Sequence, residues 1–198
     1  MYNDSLKRAK THVPIPGNEI SSICTSANGQ WVLATCPEEL LLLDSRQKGE
    51  TLGFDRPFPR KSKPKAKRLT LSGHHVASLK KRRLPVCFTP AYFDKAETTI
   101  ITSTGPFLVT WNLNIVLKGR TDLYTLTEFD ENIMGSDCTG KPKAETILLT
   151  QPSTIIEVNL PKTSGRQAKV MTPKYQDLLR KGRARSADDQ RIRWTADD

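Results

Sequence analysis

The chain has 198 residues and a formal charge of +10, and only 36% of its residues are hydrophobic, below the globular norm, so part of it is not expected to pack. Its length suits one good-sized domain, or a domain with a tail, and no apolar run approaches the roughly 18 residues that a membrane span needs. The charge is uneven, with residues 1–44 at −2, 45–84 at +11, 85–160 at −4 and 161–198 at +5, which excludes a uniformly basic protein and places the cations in one internal loop and a tail.

In chain order, "ISSICTS" (Ile20–Ser26) is the first strand candidate. "QWVLATCPEELLLLD" (Gln30–Asp44) follows, two apolar runs bent around Pro37. Next comes a basic stretch, "RPFPRKSKPKAKR" (Arg56–Arg68), kept extended by Pro57, Pro59 and Pro64, then a short strand candidate "LTL" and a second basic cluster, Lys80–Arg83. "PVCFTP" (Pro85–Pro90) is another strand candidate, ahead of "TTIITSTGPFLVTWN" (Thr98–Asn112). "LYTLTEF" (Leu123–Phe129) alternates as a more exposed strand does, and "ETILLTQPSTIIEVN" (Glu145–Asn159) closes the apolar region. Residues 161–198 lose the pattern; Thr172 as N-cap and Pro173 at the first helical position predict a short helix to about Lys181, and the remainder of the tail reads as flexible.

The three 15-residue segments align without a gap. Val32-Leu33, Ile100-Ile101 and Ile147-Leu148 fill the third and fourth positions; Leu40-Leu41, Leu108-Val109 and Ile155-Ile156 fill the second run; Asp44, Asn112 and Asn159 end it. Each reads as a hairpin of inner strands buried on both faces, and with flanking strands each becomes a four-stranded propeller blade. Unit starts lie 68 and then 47 residues apart, against about 40–45 for an ordinary WD-type blade, the excess falling in the basic loop. Gly73-His74 and Trp111-Asn112 echo the paired GH and WD signatures, although the tight-turn Asp is missing between Thr104 and Phe107. The fold expected is therefore all-β, a partial WD40-like β-propeller of about three blades over residues 1–160, with a basic loop and a basic tail over 161–198; the plain alternative is an unrelated β-rich domain with three similar hairpins. Three blades do not close a ring, since about four are the minimum, so the chain is read as part of a longer propeller or as one completed by self-association or a partner.

The segments "SLKRAKTHVPIPGNEISSICTSANGQWVLATC", "LLLLD", "LGFDRPFP…KPKAKRLTL…HVA" and "CFTPAYF…TIITSTGPFLVTWNL" resemble the C-terminal region of the vacuolar import and degradation protein twenty-seven family, from about Ser5 to about Leu160. The resemblance implies a WD-type propeller in a cytoplasmic non-enzyme linked to delivery of a metabolic enzyme to the vacuole for degradation, and it brings no catalytic residues. Family members carry a long N-terminal part and further blades ahead of this segment, so a truncated copy or partial gene model is implied.

No enzyme motif competes: G-x-x-x-x-G-K, G-x-G-x-x-G, G-x-S-x-G and H-E-x-x-H are all absent. His74 and His75 would point to opposite sides of a strand, and the acidic group Glu128, Asp130 and Glu131 reads as a turn-rich surface. Cys24, Cys36, Cys87 and Cys138 form no C-x-x-C pair and no zinc-ligand spacing with His12, so buried reduced thiols in a cytosolic or nuclear protein are expected, with no metal and no cofactor. The functional expectation is a non-catalytic protein-interaction scaffold in vacuolar import, protein degradation or vesicle trafficking, cytoplasmic, with nuclear import through its basic clusters as a second location. Its candidate acidic-partner site is Arg60, Lys61, Lys63, Lys65, Lys67, Arg68, Lys80, Lys81, Arg82 and Arg83. The alternative is a nucleic-acid or ribosome-associated protein working through the same cations, and the plainest reading of the loop is a solvated connection between blades.

Overall fold

A strand with apolar side chains on both faces calls for cover on both, and the first two repeated segments fold accordingly as the inner strands of four-stranded sheets, while the third forms a hairpin at one side of a sheet with three strands among the described residues. A computed structural model of the chain describes residues 12–13, 15, 19–46, 58–59, 63–141 and 144–159. The first segment is the hairpin β2 (Trp31–Thr35) and β3 (Leu40–Asp44), the second β6 (Thr99–Thr104) and β7 (Phe107–Asn112), and the third β10 (Ala144–Thr150) and β11 (Ile155–Asn159). Their registers coincide: Val32 pairs with Leu43, Ile100 with Trp111 and Ile147 with Val158, the third position opposite the fourteenth in every unit. Equal spacing in sequence is thus equal placement in space.

Flanking strands complete the sheets, all antiparallel. β1 (Ser22–Thr25) and β4 (Lys67–Leu69) border the first, in the order β1-β2-β3-β4. β5 (Tyr92–Phe93) and β8 (Thr125–Glu128) border the second, in the order β5-β6-β7-β8. β9 (Gly135–Lys141) joins the third, which among the described residues has three strands, β9-β10-β11. The first strands share one register too, Cys24 opposite Leu33, Tyr92 opposite Ile101 and Asp137 opposite Leu148.

Several expectations are corrected. Residues 85–90 are not a strand: Pro85 and Pro90 lack the N–H a ladder needs, and the segment only follows the edge of β6, Thr89 N–H donating to the Ser103 carbonyl (2.9 Å) and Cys87 N–H to Thr104 Oγ1 (3.0 Å). The strand expected at Leu69–Leu71 sits two residues earlier. Gly73–Lys81 is a helix, α1, so His74 and His75 do not flank a strand; Ser72 caps it, its Oγ accepting from His75 N–H, and Lys80 and Lys81 complement the C-terminal dipole. A second short helix, α2 (Leu113–Leu117), follows Asn112, whose side chain accepts from Ile115 N–H. No disulfide joins the four cysteines, and the expectation of buried thiols is met at Cys36 alone, since Cys24 and Cys138 are half-buried and Cys87 is exposed. The helix expected at Thr172–Lys181 lies outside the described residues.

The sheets stack face to face. Leu33, Leu40 and Leu42 of the first meet Ile100, Val109 and Trp111 of the second, with Leu71 and Leu79 from the linker filling the edge. Ile101 and Leu108 on the opposite face of the second sheet meet Ile147, Leu149 and Val158 of the third. Each such Leu or Ile, fully buried, is worth about 1.5–3 kcal/mol of hydrophobic transfer. The first strands lie where the sheets converge, β1 against β5, and β9 against β6, the second strand of the middle sheet.

Backbone bonds repeat across the two junctions. Phe88 N–H donates to the Pro37 carbonyl and Ile133 N–H to the Gly105 carbonyl, both at 2.8 Å, and both acceptors are the eighth residue of their unit. One residue on, Thr89 and Met134 N–H reach the sixth-position carbonyls of Ser103 and Thr150 in their own sheets (2.9 and 2.8 Å), as Ser21 N–H reaches Thr35 (2.8 Å). The burial is not symmetric. The middle sheet is covered on both faces, whereas Leu148 and Ile155 on the outer face of the third are 36% and 73% exposed, which corrects the expectation of full burial there.

Candidate interaction surface

β4 ends at Leu69, opposite Leu40, the first residue of β3. The linker that follows therefore leaves the first sheet at the edge carrying the hairpin turns, and α1 sits along that edge. Turns and linkers expose backbone groups and side chains that strands enclose.

The structure divides the ten candidate cations. Arg60 and Lys61 lie outside the described residues. Lys63, Lys65, Lys67 and Arg68 lead into or occupy β4, and Lys80, Lys81, Arg82 and Arg83 are the last turn and exit of α1, with Arg83 in the left-handed region (φ 57°). Two are held internally. Arg68 lies 3.6 Å from the Glu39 carboxylate, and Arg82 bonds Glu128 at 2.5 Å while its guanidinium stacks over the Phe107 ring, 5.3 Å from the centroid. Lys80, Lys81 and Arg83 are exposed and their side chains pair with nothing among the described residues, so they present charge outward. Among the described residues no bond or ion pair joins the cluster at β4 to the one at α1.

The acidic group predicted from sequence shares this edge. Glu128 is the partner of Arg82, and the Glu131 carboxylate accepts from Ser153 Oγ at 2.6 and 2.8 Å, tying the third hairpin turn to the linker before β9; the Gln151 side-chain amide donates to the Glu131 carbonyl at 2.8 Å. The edge is therefore mixed in sign, and its carboxylates serve structure. Among the described residues no three His, Cys, Asp or Glu side chains gather to hold a metal.

Sequence reading missed the polar set around α1. Tyr124, buried in the linker to β8, receives Ser72 N–H at 2.8 Å and contacts His75 Nδ1 at 2.5 Å. Burial, and then the neighbouring His74, lower the His75 pKa and so favour the neutral ring, whose Nδ1 shares a hydrogen bond with the Tyr124 hydroxyl. Ser72 followed by Val76 and Leu79 carries a helix signal, a capping serine and apolar residues three and four apart. In the core, burial pushes the Tyr92 phenol above its ordinary value beside Ser136 and Cys138, although neither the Tyr92 nor the Ser136 hydroxyl forms a well-made bond. Asp94 organises the β5–β6 turn, accepting from Thr98 N–H (2.6 Å), Thr98 Oγ1 (2.8 Å) and Thr99 N–H (2.7 Å). Ser26 occupies the same place in the first sheet and accepts from Trp31 N–H at 2.9 Å.

Antiparallel sheets in one strand order, stacked face to face with the same turn bonding across each junction, define a partial WD40-like β-propeller. The family model described as the VID27 C-terminal WD40-like domain matches residues 1–175, and the chain belongs to that family. It is 43% identical to the vacuolar import and degradation protein 27 of Schizosaccharomyces pombe across 65% of this chain, and 41% identical to the protein of that name from Saccharomyces cerevisiae across 56%. The matches span 17% and 15% of those relatives' length. No helix among the described residues is long and apolar enough to cross a membrane.

Proposed function

We propose that the chain is a non-catalytic protein-interaction scaffold acting in vacuolar import and protein degradation, and that it meets an acidic partner through the outward cations of the turn-bearing edge. The relatives' names support the pathway, and WD40-like domains generally serve protein contacts. The observation that carries the site is the division of charge: Arg68 and Arg82 are spent on Glu39 and Glu128, while Lys80, Lys81 and Arg83 stand free on a rigid helix end. Among the described residues the buried polar side chains of the strands are hydroxyls, from Thr35, Thr99, Thr102, Ser103, Thr104, Thr110 and Thr127, which supports the non-catalytic reading.

The test is affinity capture with the triple variant Lys80→Gln, Lys81→Gln, Arg83→Gln. Loss of specific protein partners from the variant, with an unchanged circular dichroism spectrum, is the expected result. Equal capture by both forms removes these cations from the reading. A nucleic-acid affinity that falls steeply with salt and vanishes on neutralising Arg60–Arg68 replaces the scaffold with the basic binding protein.

A further inference from the structure

The helix α1 closes on an arginine where glycine is favoured. Arg83 N–H donates to the Lys80 carbonyl and Leu84 N–H to the Leu79 carbonyl, both at 3.0 Å. That pair of bonds needs a left-handed residue just past the helix, a place glycine takes most easily because it has no Cβ. Arg83 fills it at φ 57°. Backbone strain of this kind collects at sites with a function. The Arg83 side chain is exposed and has no partner among the described residues, so the strained position holds a cation outward.

The same cap lays the half-buried Leu84 against the β6–β7 turn, and Asn132 reaches that turn from the other side. A Cβ added to Gly105 would lie 3.9 Å from Leu84 Cδ1 and 3.7 Å from Asn132 Oδ1. Asn132 is exposed, and its amide has no partner among the described residues. Met134 stands two residues further on. Asp137 pairs with Leu148 on the outer face of the third sheet, so alternation turns Met134, with Ser136 and Cys138, towards the second sheet. Met134 lies at the mouth of that junction and is 67% exposed. Both sheets framing the strip are described and packed on each other, so its exposure is independent of what borders either end of the stack.

We infer that this strip binds an extended acidic peptide that carries an apolar side chain. Lys80, Lys81 and Arg83 take the peptide's carboxylates, the Asn132 amide donates to and accepts from its backbone, and its apolar side chain lies between Leu84 and Met134. A polypeptide offers those three chemistries side by side. Asp130 is exposed and Glu131 half-exposed in the linker beside Asn132, so the strip is positive at the α1 end and negative at the other. A uniformly anionic RNA or lipid surface meets repulsion at that negative end, whereas a peptide acidic at one end alone does not. The inference rests on the acidic-partner reading and adds to it the peptide, its apolar residue and its direction.

The test is selection of phage-displayed random dodecapeptides on the full 198-residue chain, then fluorescence anisotropy with the enriched peptide. Enriched sequences are expected to set Asp or Glu within a few residues of Leu, Ile, Phe or Met. Met134→Asp, at an exposed site that leaves the fold intact, is expected to weaken binding roughly tenfold. The triple variant Lys80→Gln, Lys81→Gln, Arg83→Gln is expected to weaken it by roughly tenfold to a hundredfold. Arg83→Gly relieves the left-handed strain, so the urea midpoint should rise while binding falls roughly threefold to tenfold, a split that a purely structural residue would not show. Binding lost in the triple variant but unchanged by Met134→Asp overturns the peptide site and leaves the acidic-partner reading standing. Binding unchanged in the triple variant overturns both. No enrichment, enriched peptides without acidic residues, tighter binding of oligouridylate or of phosphatidylserine vesicles than of the enriched peptide, or unchanged binding by Arg83→Gly overturns the proposal.

Discussion

Trp111 has no exposed surface; its ring lies 5.4 Å from Tyr124 and 6.2 Å from Phe88, and its indole N–H donates to the Thr121 carbonyl at 3.2 Å. Trp111→Ala leaves both a cavity and an orphaned acceptor, and urea unfolding should show a loss of about 3–5 kcal/mol. Gly105 is a different kind of constraint. Its φ of +53° suits glycine, and its carbonyl receives Ile133 N–H, so the turn also aims a junction bond. Gly105→Ala should cost about 1–2 kcal/mol by the same measurement, from backbone strain rather than crowding, the nearest atom to an added Cβ being 3.7 Å away. His75 adds a pH dependence. Its folded pKa lies below the ordinary 6.5, so the unfolded chain binds the proton more readily, and stability is lost as pH falls through 6.5 towards the folded value. Melting temperature should therefore drop less between pH 7.5 and 5 in His75→Gln than in the wild type.

At the scale of elements, the hairpins were legible because two apolar runs of fixed length around a Pro or Gly-Pro turn leave few other structures. The flanking pieces were not. β9 is Gly-Ser-Asp-Cys-Thr-Gly-Lys, with almost no β-propensity, and it forms because β10 beside it offers a full row of backbone partners. α1 is read from Ser72, Val76 and Leu79 only if the basic residues after them do not dominate the reading. Ser72→Ala should lower stability by about 0.5–2 kcal/mol and loosen the Tyr124 contact, since the hydroxyl caps the helix that holds the cations in place. The charge map located the cations correctly in sequence, but it could not show that Arg68 and Arg82 turn inward to carboxylates.

Across the whole molecule, the same unit position has different worth in different sheets. Ile101 and Leu148 are both fourth in their segment, yet one is fully buried and the other lies on an open face. Ile101→Ala should cost about 2–5 kcal/mol, and Leu148→Ala well under half of that in the monomer, measured by denaturant unfolding of each variant. The three-unit repeat, its common register and the all-β class could be read from residue order alone, because apolar spacing and turn chemistry act over a few neighbours. Which faces are covered and which cations turn inward to carboxylates were settled only by stacking the sheets, because those properties depend on contacts between residues tens of positions apart.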